Sequence, residues 1–393
     1  MAVLPTRTKA GQHGLSGTKL DSATASDPVH EFISVTSGTA FSQAGKRLQF
    51  MPRTAKLKYQ IVTSADVNFL PAACCMLISA NAALETNTDV MLMLVAVDVS
   101  ESEAEKTNTF LKAHGVAPCV RTVSSQEFVD PRLRVDRHVT KASYIRLVLD
   151  RIISRDVDRV LYLDADIRVL SSLAPLFETD MQGFPLAAVK DIPFYQHDRL
   201  KQKCSSLLMP ENADYFNAGV LLFDWPETLR SGLLDKAMKF ACTHQDLCVM
   251  HDQDALNSAA ANNWKPLDPR WNLIHHYFSN GGKQSAWIKH FTGKKPWSRH
   301  RPKIWRQDAI WMKNLLADSP WPEYVERQSW IVQLGIMVKR HLVKFREHRR
   351  LIGYHLVPHV MSSAAKQRAQ QHTKLHRHDV ENLVSDMIRQ ARK

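Results

Sequence analysis

Two carboxylates one residue apart, Asp164 and Asp166, follow the apolar run Val160–Leu163 inside the stretch Leu161-Tyr-Leu-Asp-Ala-Asp-Ile-Arg-Val-Leu170. Held from one side by a strand end, such a pair can grip a hard divalent cation, and a cation so held can neutralise a diphosphate. The run comes after a charged turn, Ser154–Asp158, and predicts a short strand buried on both faces. That strand would deliver both carboxylates to the carboxyl edge of a sheet, where open α/β sheets take their ligands. Aspartate is also common after strands as a turn former and helix cap, so the pair alone does not establish a metal–nucleotide site.

A phosphatase of the haloacid dehalogenase type also places Asp-x-Asp after a buried strand. That pattern expects Thr or Val two residues after the second Asp, where this chain has Arg168. Other candidate groups lie further along. Asn217-Ala-Gly219 interrupts a strand-like run, Tyr215–Asp224, and reads equally as a bulge that needs glycine for close backbone approach. His251-Asp-Gln-Asp-Ala-Leu-Asn257 opens a helix, where Asp252 and Asp254 could be first-turn residues favoured by the dipole. His290-Phe-Thr-Gly-Lys-Lys-Pro-Trp297 combines a histidine, a glycine that admits a ligand to the backbone, and lysines able to meet phosphate.

The elements that must position these groups alternate. Strands are expected at Tyr59–Thr63, Val90–Val97, Ala117–Val123 and Leu186–Val189, the last ending in Lys190-Asp191. Helices are expected at Leu70–Leu84, Glu101–His114 and Arg137–Ser154, with a polar loop or helix over Tyr195–Met209. Strand, polar turn, helix, repeated at this length, argues for an α/β domain with a mostly parallel central sheet flanked by helices.

Composition narrows the reading. At 393 residues the chain can bury a full core. Of its +13 charge, residues 1–57 carry +4 and residues 331–393 carry +9, leaving 58–330 neutral. A nucleic-acid-binding domain would carry its basic patch on the folded surface, so nucleic acid is excluded as a partner. The six cysteines lack Cys-x-x-Cys spacing and sit in largely apolar surroundings, which predicts reduced, mostly buried thiols in a cytosolic protein. No apolar run is long enough to cross a bilayer, and the N-terminus does not read as a secretory signal. Three parts are expected: a flexible segment 1–57, a domain 58–330, and a basic helical extension 331–393.

Six stretches together resemble glycosyltransferase family eight, the retaining galactosyl- and glucosyltransferases. They are Ala65-Asp-Val-Asn68, Ser143-Tyr-Ile-Arg146, Tyr162–Asp166, Tyr215–Gly219, Asp252-Gln-Asp254 with Asn257, and His290–Gly293 with Lys295-Pro-Trp297. The resemblance implies a GT-A fold, a UDP-sugar donor and Mn2+. It implies metal ligation by Asp164, Asp166 and His290, a donor set that suits manganese better than magnesium. Asp66 and Asn68 match nucleoside contacts, Gly293 and Lys295 the diphosphate contacts, and Arg146 a residue reaching donor sugar or phosphate. Asn217, Asp252 and Gln253 match groups around the transferred sugar, with Asp191 near sugar and acceptor. Two departures stand out. The late motif is one residue shorter before Pro-Trp than in some members, so Lys294 and Lys295 could exchange the phosphate role. The family's double acid near the first strand is Asp66-Val67, which removes one carboxylate.

Retention usually calls for a nucleophilic carboxylate. The resemblance places an amide, Gln253, at that position, which favours front-side displacement; a covalent intermediate through Asp252 is the other route. The implied acceptor is a hydroxyl of a saccharide or glycolipid such as lipopolysaccharide, and a non-catalytic sugar-nucleotide-binding homologue is the alternative. In the extension, Ile331, Leu334, Val338, Leu342 and Phe345 recur at spacings of three and four amid six basic residues. Such a helix can lie on an anionic membrane, consistent with a cytoplasmic protein peripheral to the inner face, or pack on the core. Residues 362–393 read as mobile, with a helical run at Glu381–Arg392.

Overall fold

Ile61 and Val62, successive residues of strand β1 (Tyr59–Ala65), are both fully buried, yet they belong to two different cores. Alternation along a strand sends neighbours to opposite faces, so both faces of this sheet are covered. The computed structural model describes residues 58–85, 89–133, 140–196, 199–326 and 379–391. The expectations for 1–57 and for the basic helix 331–350 lie outside the described residues.

Strands β2 (Val90–Val97), β3 (Cys119–Val123), β4 (Arg159–Leu163), β5 (Ile167–Val169), β6 (Leu186–Lys190), β7 (Phe216–Asp224), β8 (Lys265–Pro266), β9 (Leu273–Ile274) and β10 (Ile288–His290) follow β1. The main sheet runs β3-β2-β1-β4-β7-β6-β8, and β5-β10-β9 form a second sheet. All pairings in the main sheet are parallel except those of β7, which runs antiparallel to both β4 and β6. Apolar runs at β1, β2, β4 and β7 are what burial on two faces demands. β3 differs: it is an edge strand with Cys119 exposed, whereas Cys74, Cys75, Cys204 and Cys248 are buried thiols.

One core packs helix Leu70–Asn81 against Ile61, Leu161 and Leu222. Pro71 falls in the first turn of that helix, where its missing N–H costs nothing. The other core packs helices Leu233–Thr243 and Asp252–Ala260 against Val62, Val160, Tyr162 and Phe223. The helix expected over Arg137–Ser154 is instead a 3-10 run, Lys141–Leu147, continued by Leu149–Arg151. Seven residues is long for this tighter form. What holds it is the complete burial of Tyr144 to Leu147 and the anchoring of Arg146 described below.

The chain end also departs from expectation. Residues 379–391 form a helix that is packed, not mobile: Val380, Val384, Met387 and Ile388 cover Ile192, Leu273 and Tyr277. Glu381 accepts hydrogen bonds from the Tyr277 hydroxyl (2.8 Å), the Lys283 amide (3.0 Å) and Gln284 Nε2 (3.1 Å).

The strand that follows Asp166 and the strand that ends on His290 are locked together by a buried acid. Arg168 and Lys289 face each other across the β5–β10 ladder, and like charges so placed repel. Asp308, fully buried on helix Arg306–Leu315, pairs with both, at 2.8 Å and 3.1 Å. Asp308→Asn would leave two facing cations without a counter-charge. We expect it to lower the unfolding free energy by about 3 kcal/mol in urea titration; a loss under about 0.5 kcal/mol would show that the two cations are adequately solvated without it.

Candidate active site

β4 ends at Leu163, so Asp164 and Asp166 emerge at the carboxyl edge, and β5 begins immediately afterwards. β10 runs antiparallel to β5 and ends on His290, opposite Ile167. That register sets the imidazole beside the carboxylates: Nε2 lies 3.3 Å from Asp166 Oδ1 and 3.7 Å from Asp164 Oδ2. Ligand atoms of the three residues all fall within 4.8 Å of one another. Two carboxylates and an imidazole at this spacing fit a divalent metal of the manganese type.

The imidazole tautomer is set from behind. His290 Nδ1 donates to Asn272 Oδ1 (2.9 Å), while Asn272 Nδ2 donates to Asn217 Oδ1 (2.9 Å) and so fixes which way the amide points. With Nδ1 committed to Asn272, Nε2 is the ring nitrogen that faces the carboxylates, the usual outer support of a metal-bound histidine. Asn217 Oδ1 also accepts the Gly219 amide (3.0 Å).

The bulge reading of Asn217-Ala-Gly219 is seen in the structure. The β6–β7 register jumps from Ala188↔Leu221 to Val189↔Asn217, so the chain bulges at 218–220. The Gly219 carbonyl accepts the Asp164 amide (2.9 Å), which ties the bulge to the acidic motif. A Cβ on Gly219 would lie 2.3 Å from His290 Cε1, so only glycine lets the imidazole reach its place.

Arg146 is the buried cation of the site. Its NH2 donates to Asp164 (2.6 Å), its Nε meets Asp252 (2.9 Å), its NH1 donates to the Ala218 carbonyl, and the guanidinium lies over Tyr162. All three guanidinium nitrogens are engaged with protein, so in this structure Arg146 holds the acids of the site in place. Burial works against its charge, and Asp164 with Asp252 more than offset that. Burial pushes the Asp252 carboxyl up to about 6, with Arg146 opposing and Asp164 adding to the rise. Asp191 is also raised, by burial, against hydrogen bonds from Gln253 and Asn217. Asp166 goes the other way: burial would raise it, but Lys295 and His290 together hold it well below the carboxylate range.

Gln253 and Asp191 meet directly. Gln253 Nε2 donates to Asp191 Oδ2 (2.9 Å) and to the Tyr215 hydroxyl (3.0 Å), while Oε1 accepts the Ala218 amide (3.0 Å). Behind them Tyr215 donates to Asp254 (2.5 Å), which also takes Lys203 (2.6 Å) and the Met250 amide (2.6 Å). Asp252 and Asp254 do stand in the first turn of a helix, but each also has a specific partner.

At the other end of the site Asp66 Oδ1 accepts the amides of Asn68 (2.9 Å) and Phe69 (3.2 Å), shaping the turn that leaves β1; Asn68 itself is exposed. Phe69 meets Trp297 edge-on at 5.9 Å, which brings this turn beside the late motif. Gly293 adopts φ +72°, a left-handed conformation that favours glycine. The two lysines separate: Lys294 is exposed, and Lys295 pairs with Asp166 and donates to the Phe291 carbonyl (3.0 Å). Asn272, Tyr215 and Lys203 were not singled out from the sequence, and Asp254 was read only as a first-turn acid within the Asp252-Gln-Asp254 motif. Tyr215 and Asp254 sit inside quoted motifs, whereas Asn272 and Lys203 have no local signal.

Residues 60–301 match the family described as "Glycosyl transferase family 8". Among curated relatives, General stress protein A of Bacillus subtilis (strain 168) is 31% identical over 189 residues, 44% of this chain and 64% of that protein. Lipopolysaccharide 1,2-glucosyltransferase of Escherichia coli (strain K12) is 26% identical over 48% of this chain and 58% of that protein. The chain thus spans less than two thirds of the length of these relatives. Among solved structures, galactosyltransferase LgtC in complex with donor and acceptor sugar analogues superposes with a TM-score of 0.59 at 24% identity, over 67% of this chain and 99% of that one. The bifunctional glycosyltransferase WbbM superposes with a TM-score of 0.56 at 18% identity, over 71% of this chain and 53% of that one. These likenesses agree with the sheet described above in giving the GT-A fold. With the match covering more than half of the sequence, and the acidic pair, bulge and late histidine gathered at one sheet edge, the chain belongs to glycosyl transferase family 8.

Proposed function

We propose that this protein is a retaining hexosyltransferase that moves galactose or glucose from a UDP-sugar to a hydroxyl of a saccharide or lipid-linked acceptor, lipopolysaccharide being the example that a relative's name suggests. The observation that carries the reading is the Asp164, Asp166 and His290 cluster, with Nδ1 held by Asn272 so that Nε2 faces the carboxylates. Mn2+ held by these three residues would neutralise charge that develops on the leaving diphosphate.

The protein's own groups do the rest. Gln253 has its Oε1 committed to the Ala218 amide and its Nε2 to Asp191, so it positions and does not attack. With an amide at the position that would otherwise attack, we read the step as front-side displacement, the route through Asp252 being the other: the bond from the sugar's anomeric carbon to the phosphate oxygen breaks, and the acceptor oxygen bonds the same carbon on the same face. The leaving phosphate oxygen takes the acceptor's proton. Asp191 and Asp252, in fixed places beside Gln253 and Arg146, support the oxocarbenium-like charge electrostatically. Asp66 and Asn68 would meet the nucleoside, Gly293 and Lys295 the diphosphate, and Asn217 the sugar. Location on the cytoplasmic side, peripheral to the membrane, rests on the basic stretch 331–350. Among the described residues no helix is long and apolar enough to cross a membrane.

Three outcomes test this. A panel of UDP-sugars should give UDP release that depends on manganese, with one hexose preferred and activity lost in Asp166→Ala; no release and no manganese-dependent UDP binding would remove the reading. A carboxyl titrating near 6 is charged only above that pH, so kcat/KM should fall as pH drops through about 6. Asp252→Asn should show no such limb, and an unchanged limb in that variant would assign it elsewhere. On anionic vesicles the wild type should float while a variant with Lys339, Arg340, Lys344, Arg346, Arg349 and Arg350 changed to Gln should not; equal flotation would sink the membrane contact.

A further inference from the structure

The acids at the cluster differ in how their positive partners are held. Arg146 is shared between Asp164 and Asp252, is almost wholly buried, and has Nε, NH1 and NH2 each bonded to protein. It cannot leave without stranding two carboxylates. Lys295 is placed otherwise: its ammonium sits on Asp166 Oδ2 and on the Phe291 carbonyl, at the end of a flexible stem that is 24% exposed. It follows Gly293, at φ +72°, and exposed Lys294 in a loop. Asp166 turns its other oxygen, Oδ1, to His290.

A divalent cation binding Asp164, Asp166 and His290 would therefore meet a carboxylate already neutralised by a neighbouring ammonium, and the two positive charges repel across it. The repulsion disappears once Lys295 turns from Asp166 to an incoming diphosphate, which is itself drawn by the cation. We propose that Lys295 makes the site bind metal and diphosphate as a pair: it weakens binding of the cation alone and strengthens binding of the diphosphate once the cation is present. Lys295 is then a coupling residue as well as a phosphate contact. This rests on the metal–nucleotide reading given above.

The coupling is reciprocal and so can be measured from either side. Calorimetric titrations of the full chain with Mn2+ alone, UDP alone, and each in the presence of the other give the coupling factor directly. In Lys295→Met, Mn2+ alone should bind about tenfold tighter, UDP with Mn2+ about tenfold weaker, and the coupling factor should shrink by both changes. Lys294→Met removes the same formal charge one residue away without touching Asp166, and should leave the Mn2+ affinity within about twofold. Lys295→Arg, which keeps the charge, should not bind Mn2+ more tightly than the wild type. The inference is overturned if Lys295→Met binds Mn2+ alone no more tightly than the wild type, or if Lys294→Met reproduces its gain. Wild-type protein that binds neither Mn2+ nor UDP would remove the reading of the site itself and this inference with it, a result distinct from an unchanged affinity ratio.

Discussion

Arg146 joins four parts of the molecule through one guanidinium. The 3-10 run supplies the residue, β7 supplies a carbonyl, the turn after β4 supplies Asp164, and the helix beginning at Asp252 supplies the second acid. A buried charge of this kind is tolerable only when every partner is in place, so these four segments must arrive together. That requirement explains why a 3-10 run of unusual length persists where sequence pattern suggests an ordinary helix. It also explains how two carboxylates, Asp164 and Asp252, can sit near one another in a water-poor site without pushing it apart. The planar fork matters here, since a lysine could not address two acids and a carbonyl in fixed directions.

Behind that centre the site is built as layers of polar groups that fix one another. Asn272 orients His290, Asn217 orients Asn272, and the Gly219 amide anchors Asn217. Around Gln253, the residues Lys203, Asp254, Tyr215 and Asp191 form with it a second chain with the same logic. Asn257 reinforces it by bonding both the amide and the carbonyl of Phe216, standing in for a missing ladder partner where β7 bulges. Each link leaves the next with one available orientation, and preorganisation of that kind is what electrostatic catalysis needs.

The parts of this arrangement that could be read in the sequence are those with a local signature. Apolar runs revealed the strands, the turn after each revealed where the acids emerge, and Gly219 announced a close approach before its neighbour His290 was known. That Asp164, Asp166 and His290 gather at one place followed from the family resemblance carried by those same stretches. What was not legible acts through tertiary contact alone. Asn272 and Lys203 lie in unremarkable surroundings, and Asp308 reads as an ordinary first-turn acid until Arg168 and Lys289 are seen to face each other. The helix at 379–391 was legible as a helical run over 381–392, but its packing was not, because the polar, histidine- and glutamine-rich residues before it resemble a tail and its apolar stripe is short.

That last helix has a bearing on how the protein comes to exist in a cell. It covers Ile192, beside Asp191, and Leu273, beside Asn272, and it follows every other described element in chain order. A growing chain presents its N-terminal part first, so the strands and the acid cluster can assemble while Tyr277 and its apolar neighbours still face water. Until that helix docks, an apolar seam lies open beside the acid cluster, so the site is complete only when residues far along the chain have closed over it.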